Sequence, residues 1–401
     1  MSEIHLRPPA VPSSAEASSG AAGWPAPGAR FLPGDPVPVF HAATDGNPRY
    51  AFDSVAGRYV LLAFLGSGSH PASAAAWGAM LRARAEGLLD DGRACGFAVT
   101  ADPGDAAPAM ADAIPGLRVL RDHDMAVSRA YGAYAAASEG GRPGYAPFAL
   151  LLDPMLRVLA VEPVASIGRL IGMLATLPAP GLHSELHAGM EVPAPVLVLP
   201  RVLEPGFCAA LIALYGREGG TESGFMREVD GRTVPMLDAG HKRRKDLVIA
   251  DEAVRAALRE RLVRRLVPEI RRAFQFQATR IERYIVACYD AADGGHFRAH
   301  RDNTTRGTAH RRFAVSINLN DDFEGGDLTF PEFGTRRYRP PAGGAVVFSC
   351  SLLHEAGRVT RGVRFATLPF LHDEAAARVR EEGRRFIGAG EEGASARSSD
   401  G

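Results

Sequence analysis

Apolar positions along this chain follow two different rhythms. In the first half, short continuous apolar runs alternate with helical stretches. Strands are predicted at Tyr59–Leu65, Ala94–Thr100 and Leu117–Leu120, with an Ala-rich helix from about Ser73 to Asp90 and a shorter one near Met125–Tyr131. Phe148–Leu152 and Val158–Val161 read as a hairpin turned by Asp153-Pro154, and Ser166–Leu174 as a closing helix. In the second half, Glu204–Tyr215 predicts a helix. A longer one is capped by Asp251 and carries Val254, Leu258, Leu262, Leu266, Ile270 and Phe274 along one stripe. From residue 281 onward only short β runs remain: Ile281–Tyr289, Arg312–Leu319, Asp327–Phe330, Ala345–Cys350 and Val363–Phe370, separated by Gly-Gly, Asp-Asp or Pro-Pro. An antiparallel barrel or jelly roll needs that punctuation.

Three stretches lack such rhythm. Residues 1–28, rich in Pro, Ala, Ser and Gly, bury too little to offset ordering entropy and predict a disordered leader. Pro178, Pro180, Gly181, Pro193 and Pro195 mark a linker over 179–195, which separates a domain at 29–178 from one at 196–376. Residues 377–401 are polar and predict a flexible tail.

Composition narrows the function classes. The chain has 401 residues with 46 basic and 46 acidic side chains, so no net charge draws it to nucleic acid or to an anionic membrane. It has neither a secretory h-region nor an apolar run of spanning length. The scattered thiols Cys95, Cys208, Cys288 and Cys350 read as buried and reduced, which suits a cytoplasmic protein.

The chemistry concentrates near residue 300. Side chains two apart on a strand share a face, so His300 and Asp302 aim an imidazole and a carboxylate at one point, and His354 ends an apolar run as a third donor. Two His and one carboxylate leaving cis positions open make the facial triad that binds Fe(II). Arg364 stands in the strand Val363–Leu368 as a cation on an otherwise apolar side. A buried guanidinium demands an anion, and its planar fork fits the distal carboxylate of 2-oxoglutarate.

Residues 281–372 resemble the prolyl 4-hydroxylase-type 2-oxoglutarate/Fe(II) dioxygenases. The resemblance rests on Val286-Ala287-Cys288-Tyr289, Gly294-Gly295-His296-Phe297, His300-Arg301-Asp302-Asn303, Glu324-Gly325-Gly326-Asp327-Leu328 and Pro341–Phe348, in order. It implies a double-stranded β-helix (jelly roll) with supporting helices, and His300, Asp302 and His354 as metal ligands. It also implies Arg364, Tyr289 and Asn318 at the 2-oxoglutarate pocket. The implied reaction consumes O2, uses L-ascorbate to keep iron reduced, hydroxylates a peptidyl (prolyl included) or small-molecule substrate, and releases succinate and CO2. With Asp302 present, halogenation is disfavoured. A metal-binding or scaffold protein without 2-oxoglutarate turnover is the alternative.

Residues 33–178 resemble a thioredoxin-fold domain of the peroxiredoxin kind, through Pro33–Pro38, Gly57–Phe64 and Pro147–Asp153. Peroxide reduction needs an activated thiolate at the strand-to-helix turn. Here that turn, Gly66–Ser73, has no cysteine, and Cys95 sits within a predicted core strand. The domain is therefore expected to bind a protein partner or substrate, or to brace its neighbour, rather than reduce peroxide. His241–Lys245 reads as a solvated basic loop, while His183, His187, His296 and His310 receive no site.

Overall fold

The computed structural model describes residues 31–105, 110–135, 144–178, 180, 192–229 and 231–388. The expected leader, most of the expected linker, and His183 and His187 lie outside them. The chain divides into two units, Met1–Leu182 and His183–Gly401. No helix among the described residues is long and apolar enough to cross a membrane.

The first unit is built on a mixed sheet. Its strands are β1 (Tyr59–Gly66), β2 (Ala94–Thr100), β3 (Leu117–Arg121), β4 (Phe148–Leu152) and β5 (Val158–Pro163), in the order β3-β2-β1-β4-β5. The β1–β2 and β2–β3 pairs are parallel; β4 and β5 join antiparallel. Parallel pairing covers both faces, which explains why Tyr59–Leu65 and Ala94–Thr100 are buried throughout rather than alternating. Helices α1 (Pro71–Ala85) and α2 (Ile167–Thr176) bring Trp77, Met80, Leu170 and Leu174 into one core with Leu61, Ala63 and Leu65. On β1, Phe64 stacks on Phe148 with centroids 5.0 Å apart. Helix α1 starts earlier than the sequence suggests because Pro71 fits the first helical turn, and it ends before Gly87, whose φ is +79°.

In the second unit the elements run β6 (Leu197–Leu199), α3 (Pro205–Glu218), β7 (Thr221–Glu222), β8 (Lys242–Arg243), β9 (Lys245–Val248), α4 (Glu252–Arg265), α5 (Val267–Phe274), β10 (Arg280–Glu282), β11 (Ile285–Asp290), β12 (His296–His300), β13 (Phe313–Asn318), β14 (Leu328–Thr329), β15 (Arg337–Tyr338), β16 (Ala345–Ser349), β17 (His354–Ala356), β18 (Val363–Thr367), β19 (Phe370–His372) and α6 (Glu374–Gly383). Among the described residues they make a larger sheet in the order β6-β16-β13-β18-β11-β9-β7, extended by β10 and β19, and a smaller one in the order β8-β12-β17-β14-β15. Neighbouring positions on the large sheet serve two cores. Val286, Val315 and Val347 meet Leu258, Leu262, Leu266 and Ile270 of the helices. Ala287, Ala314 and Val346 meet Phe297, Leu328 and Ala356 of the small sheet.

Three expectations are corrected by local chemistry. The long helix over 251–274 is two helices, because Pro268 has no N–H to donate and its ring clashes with the carbonyl four residues back; the apolar stripe survives the break. The strand expected over Ile281–Tyr289 breaks at Arg283, whose φ is +69°, so β10 pairs with β19 while β11 pairs with β9 and β18. The tail expected from 377 begins instead as helix α6, nucleated where the Asp373 carboxylate accepts from the Ala376 N–H at 2.8 Å and held by buried Ala376.

At Gly325, φ is +71°, and a Cβ would lie 2.1 Å from the Arg358 carbonyl oxygen. Gly325→Ala is therefore expected to destabilise the second unit by more than about 1 kcal/mol, read as a lowered urea midpoint at unchanged slope.

Candidate metal centre and anion pocket

Strand β12 pairs with β17 in a register that sets His300 opposite His354, so the two imidazoles are cross-strand neighbours, with ring centroids 4.3 Å apart. Asp302 follows the end of β12, and its N–H donates to the Cys350 carbonyl at 3.0 Å, just past β16. The Asp302 carboxylate oxygens lie 3.5 Å from His300 Nε2 and 3.4 Å from His354 Nε2. The three donors thus surround one point, as expected from their spacing in the sequence.

Both rings are oriented by their own backbone. His300 Nδ1–H donates to the Arg298 carbonyl at 2.7 Å, and His354 Nδ1–H to the Leu352 carbonyl at 3.0 Å. Nε2 of each ring is left as a lone pair facing the shared point. Burial lowers the His300 pKa to about 4. Burial raises the Asp302 carboxyl, but His354 and His300 outweigh it and hold the group well below the usual carboxylate range. Neutral imidazole and ionised carboxylate are the states that bind a cation, and two nitrogens with one oxygen suit a non-haem Fe(II).

One residue not singled out in the sequence locks the two ligand-bearing segments together. Glu332 accepts from Arg301 at 2.9 and 3.2 Å and from the Leu353 N–H at 2.8 Å; these neighbours flank Asp302 and precede His354. Nothing in the spacing of Pro331-Glu332-Phe333 marks it, since its partners come from two other segments.

The same cavity holds Arg364, fully buried on β18. Its Nε donates to Asn318 Oδ1 at 3.0 Å and its Nη2 to Ser316 Oγ at 2.8 Å, and its guanidinium carbon lies 5.1 Å from the centre of the Tyr289 ring. Register explains the last contact, because Tyr289 and Arg364 are direct partners of β11 and β18. All these neighbours are uncharged, and burial pulls the Arg364 pKa below the ordinary arginine value. Tyr289 lines the cavity as expected. Asn318 does not: its amide is spent on Arg364 and, at 2.8 Å, on the Pro340 carbonyl, so it stands behind the guanidinium and orients it.

The expectation of a solvated basic loop at His241–Lys245 is overturned. Lys242 and Arg244 are each 6% exposed, and Arg244 lines the cavity. Arg244 grips Asp246 through Nε at 2.7 Å and Nη2 at 2.6 Å, and its Nη1 donates to the Tyr289 hydroxyl at 3.3 Å. The legible signal was the two-residue period of Lys242, Arg244 and Asp246, which puts all three on one face.

A second His/Glu cluster does not suit a metal. Donor atoms of Glu282, His310 and His372 lie within 4.8 Å of one another, but Glu282 also accepts from Arg311 at 2.7 and 3.0 Å and has Arg380 at 4.0 Å. Two guanidinium ions beside one carboxylate leave no net negative charge for a divalent cation, so the group ties β10, β19 and α6 together as an ion-pair knot. In the first unit, Cys95 lies in the core of β2 and burial raises its thiol to about 12. The turn before α1 carries Ser67, Ser69 and His70 and no thiol, and Ser67 Oγ donates to Asp102 Oδ2 at 2.6 Å.

Residues 284–372 match the model of the 2OG-Fe(II) oxygenase superfamily. A PKHD-type hydroxylase of Pseudomonas fluorescens is 38% identical over 92 residues, which is 21% of this chain and 40% of that protein. One from Paraburkholderia xenovorans is 34% identical over 103 residues, 23% of this chain and 44% of its own. The matched segment thus spans less than half the length of these relatives. Among solved structures, a prolyl hydroxylase from Trichoplax adhaerens, in complex with a hypoxia inducible factor peptide fragment, is similar at 19% identity and a TM-score of 0.38, covering 50% of this chain and 94% of that one. A peroxidoxin from Mycobacterium tuberculosis is similar at 16% identity and a TM-score of 0.31, covering 37% of this chain and 99% of that one.

Two outcomes test this geometry. Glu332→Ala is expected to weaken divalent-metal binding roughly ten- to a hundredfold, measured by anaerobic Fe(II) titration. Burial raises the Asp246 carboxyl, but Arg244 outweighs it and leaves it at about 2, against an ordinary value of 3.8. Its stabilisation is complete above about pH 4 and is lost as pH falls through 2. Asp246→Asn strands a buried guanidinium and is expected to cost about 3 kcal/mol at neutral pH, with the gap from wild type in urea narrowing by pH 3.

Proposed function

We propose that the second unit is a 2-oxoglutarate-dependent Fe(II) oxygenase that hydroxylates a peptidyl substrate, prolyl included, or a small molecule. The observation that carries this reading is one cavity holding both a backbone-oriented N,N,O donor set and a buried guanidinium with only neutral acceptors. The superfamily match over residues 284–372 supports Fe(II), 2-oxoglutarate and O2 as the reactants. Iron, when bound, supplies activation of O2 coupled to decarboxylation of 2-oxoglutarate into succinate and CO2.

The protein's own residues divide the remaining work. His300, Asp302 and His354 hold the metal on one face. Arg364, set by Ser316 and Asn318, takes the distal carboxylate of 2-oxoglutarate in a bidentate pair, and Tyr289 closes over it. Apolar walls from Phe297, Leu328, Phe348 and Phe370 keep water from competing with the substrate. The two sheets are read as the halves of a double-stranded β-helix, and L-ascorbate as the reductant that maintains Fe(II). The first unit is read as a thioredoxin-fold domain that is not a peroxidase, given a thiol buried in β2 and none at the turn before α1; a protein partner there is part of the proposal.

Anaerobic titration of the Fe(II) protein with 2-oxoglutarate is the test, read in the visible charge-transfer absorption that keto-acid chelation produces. Wild type is expected to develop the band and His300→Ala to lose both metal and band. Arg364→Ala is expected to keep the metal while needing at least tenfold more 2-oxoglutarate. Iron binding without a band in wild type would replace this reading with a metal-binding protein of another kind.

A further inference from the structure

Arg283 is the residue at which the large sheet changes partners. Glu282 ends β10 opposite Phe370, Ile285 begins β11 opposite Val248, and the intervening Arg283 takes φ +69°. A non-glycine residue in the left-handed region carries a conformational cost, met here by the hydrogen bonds of two strand pairings. The consequence is directional: the Arg283 side chain lines the cavity with His300, Asp302 and Arg364, its guanidinium carbon 4.7 Å from the centre of the Phe370 ring. Its Nε is buried and has no hydrogen-bond partner among the described residues.

The carboxylates around it are already committed. Asp246 is held by both Nε and Nη2 of Arg244. Glu282 is spent on Arg311 and His310. Asp302 belongs to the donor set with the two histidines. Burial lowers the Arg283 pKa to about 10, with the nearby charge of Arg244 adding to it, which leaves the side chain cationic at neutral pH. Three arginines thus line the cavity, and their charges are not equally balanced. Asp246 balances Arg244, and on the function proposed above 2-oxoglutarate balances Arg364. Arg283 is left over.

We infer that Arg283 is a substrate-recognition residue and that the molecule hydroxylated in this cavity carries a carboxylate, which pairs with the Arg283 guanidinium while its reacting carbon faces the metal. A single planar fork with one face covered by Phe370 matches a planar monoanion better than a phosphate dianion, which calls for several donors around a tetrahedron. This inference rests on the oxygenase reading, since it assigns the other anion to Arg364.

The probes are N-acetyl-L-amino acids and their matching amides, which differ only in whether the terminal group is charged. Each is added to the Fe(II)- and 2-oxoglutarate-loaded full-length protein in air, and 2-oxoglutarate consumption is followed. At least one acid is expected to accelerate consumption tenfold or more over its amide. Arg283→Gln should erase that preference, and Arg283→Lys should restore part of it. In the anaerobic titration, Arg283→Gln should form the charge-transfer band within twofold of the wild-type 2-oxoglutarate concentration. No acid outpacing its amide, or a preference that persists in Arg283→Gln, overturns the inference. So does a steep rise in the 2-oxoglutarate requirement of that variant, which would move Arg283 to the co-substrate. Absence of the band in wild type is a different result: it removes the oxygenase reading on which the inference stands.

Discussion

The antiparallel pairing of β12 with β17 is the constraint from which the rest of the site follows. Cross-strand neighbours come close without any side-chain adjustment, so the register that sets His300 opposite His354 brings two imidazoles together as a property of the backbone. Each ring is then turned by a carbonyl two residues earlier in its own chain. Asp302 completes the set because its N–H is tied to the Cys350 carbonyl, and Glu332 clamps the segments from outside. A slip of one residue in that pairing would turn one imidazole to the opposite face.

Around this centre, electrostatics are arranged by withholding partners. A buried cation is costly unless an anion accompanies it, and the sheet pairs Arg244 directly with Asp246, whereas among the described residues no carboxylate hydrogen-bonds to Arg364. Arg364 is instead held by a hydroxyl and an amide that fix its plane without neutralising it. The difference separates an arginine paired with a carboxylate from one held by neutral groups, although both line the same cavity. The knot of Glu282, Arg311, Arg380 and His310 makes the opposite choice and pairs its carboxylate with the cations packed around it.

The first unit folds without placing a thiol at its strand-to-helix turn. Its sheet order and buried β1 and β2 are built from apolar runs, and the turn into α1 carries Ser67, Ser69 and His70. The one thiol of that unit, Cys95, is sealed in β2, where burial holds it protonated at neutral pH. Packing of the sheet does not depend on a reactive group at its edge, so the fold tolerates its absence.

The sequence by itself determined most elements, the split into a β/α half and a strand-rich half, and the three candidate donors His300, Asp302 and His354 that the structure brings together. Apolar periodicity is local, His300 and Asp302 are two residues apart on one strand, and Arg364 is conspicuous within an apolar run. Tertiary structure decided what depends on partners distant in the chain. Arg244 looked like part of a solvated loop until β9 paired with β11 and buried it, and Asn318 looked like a pocket residue until Arg364 claimed its amide. Glu332 and Arg283 carried no local mark, because the first acts on two remote segments and the second owes its aim to a change of strand partner. A side chain's periodicity is written in its neighbours along the chain, whereas its charge balance is set by whatever the fold packs against it.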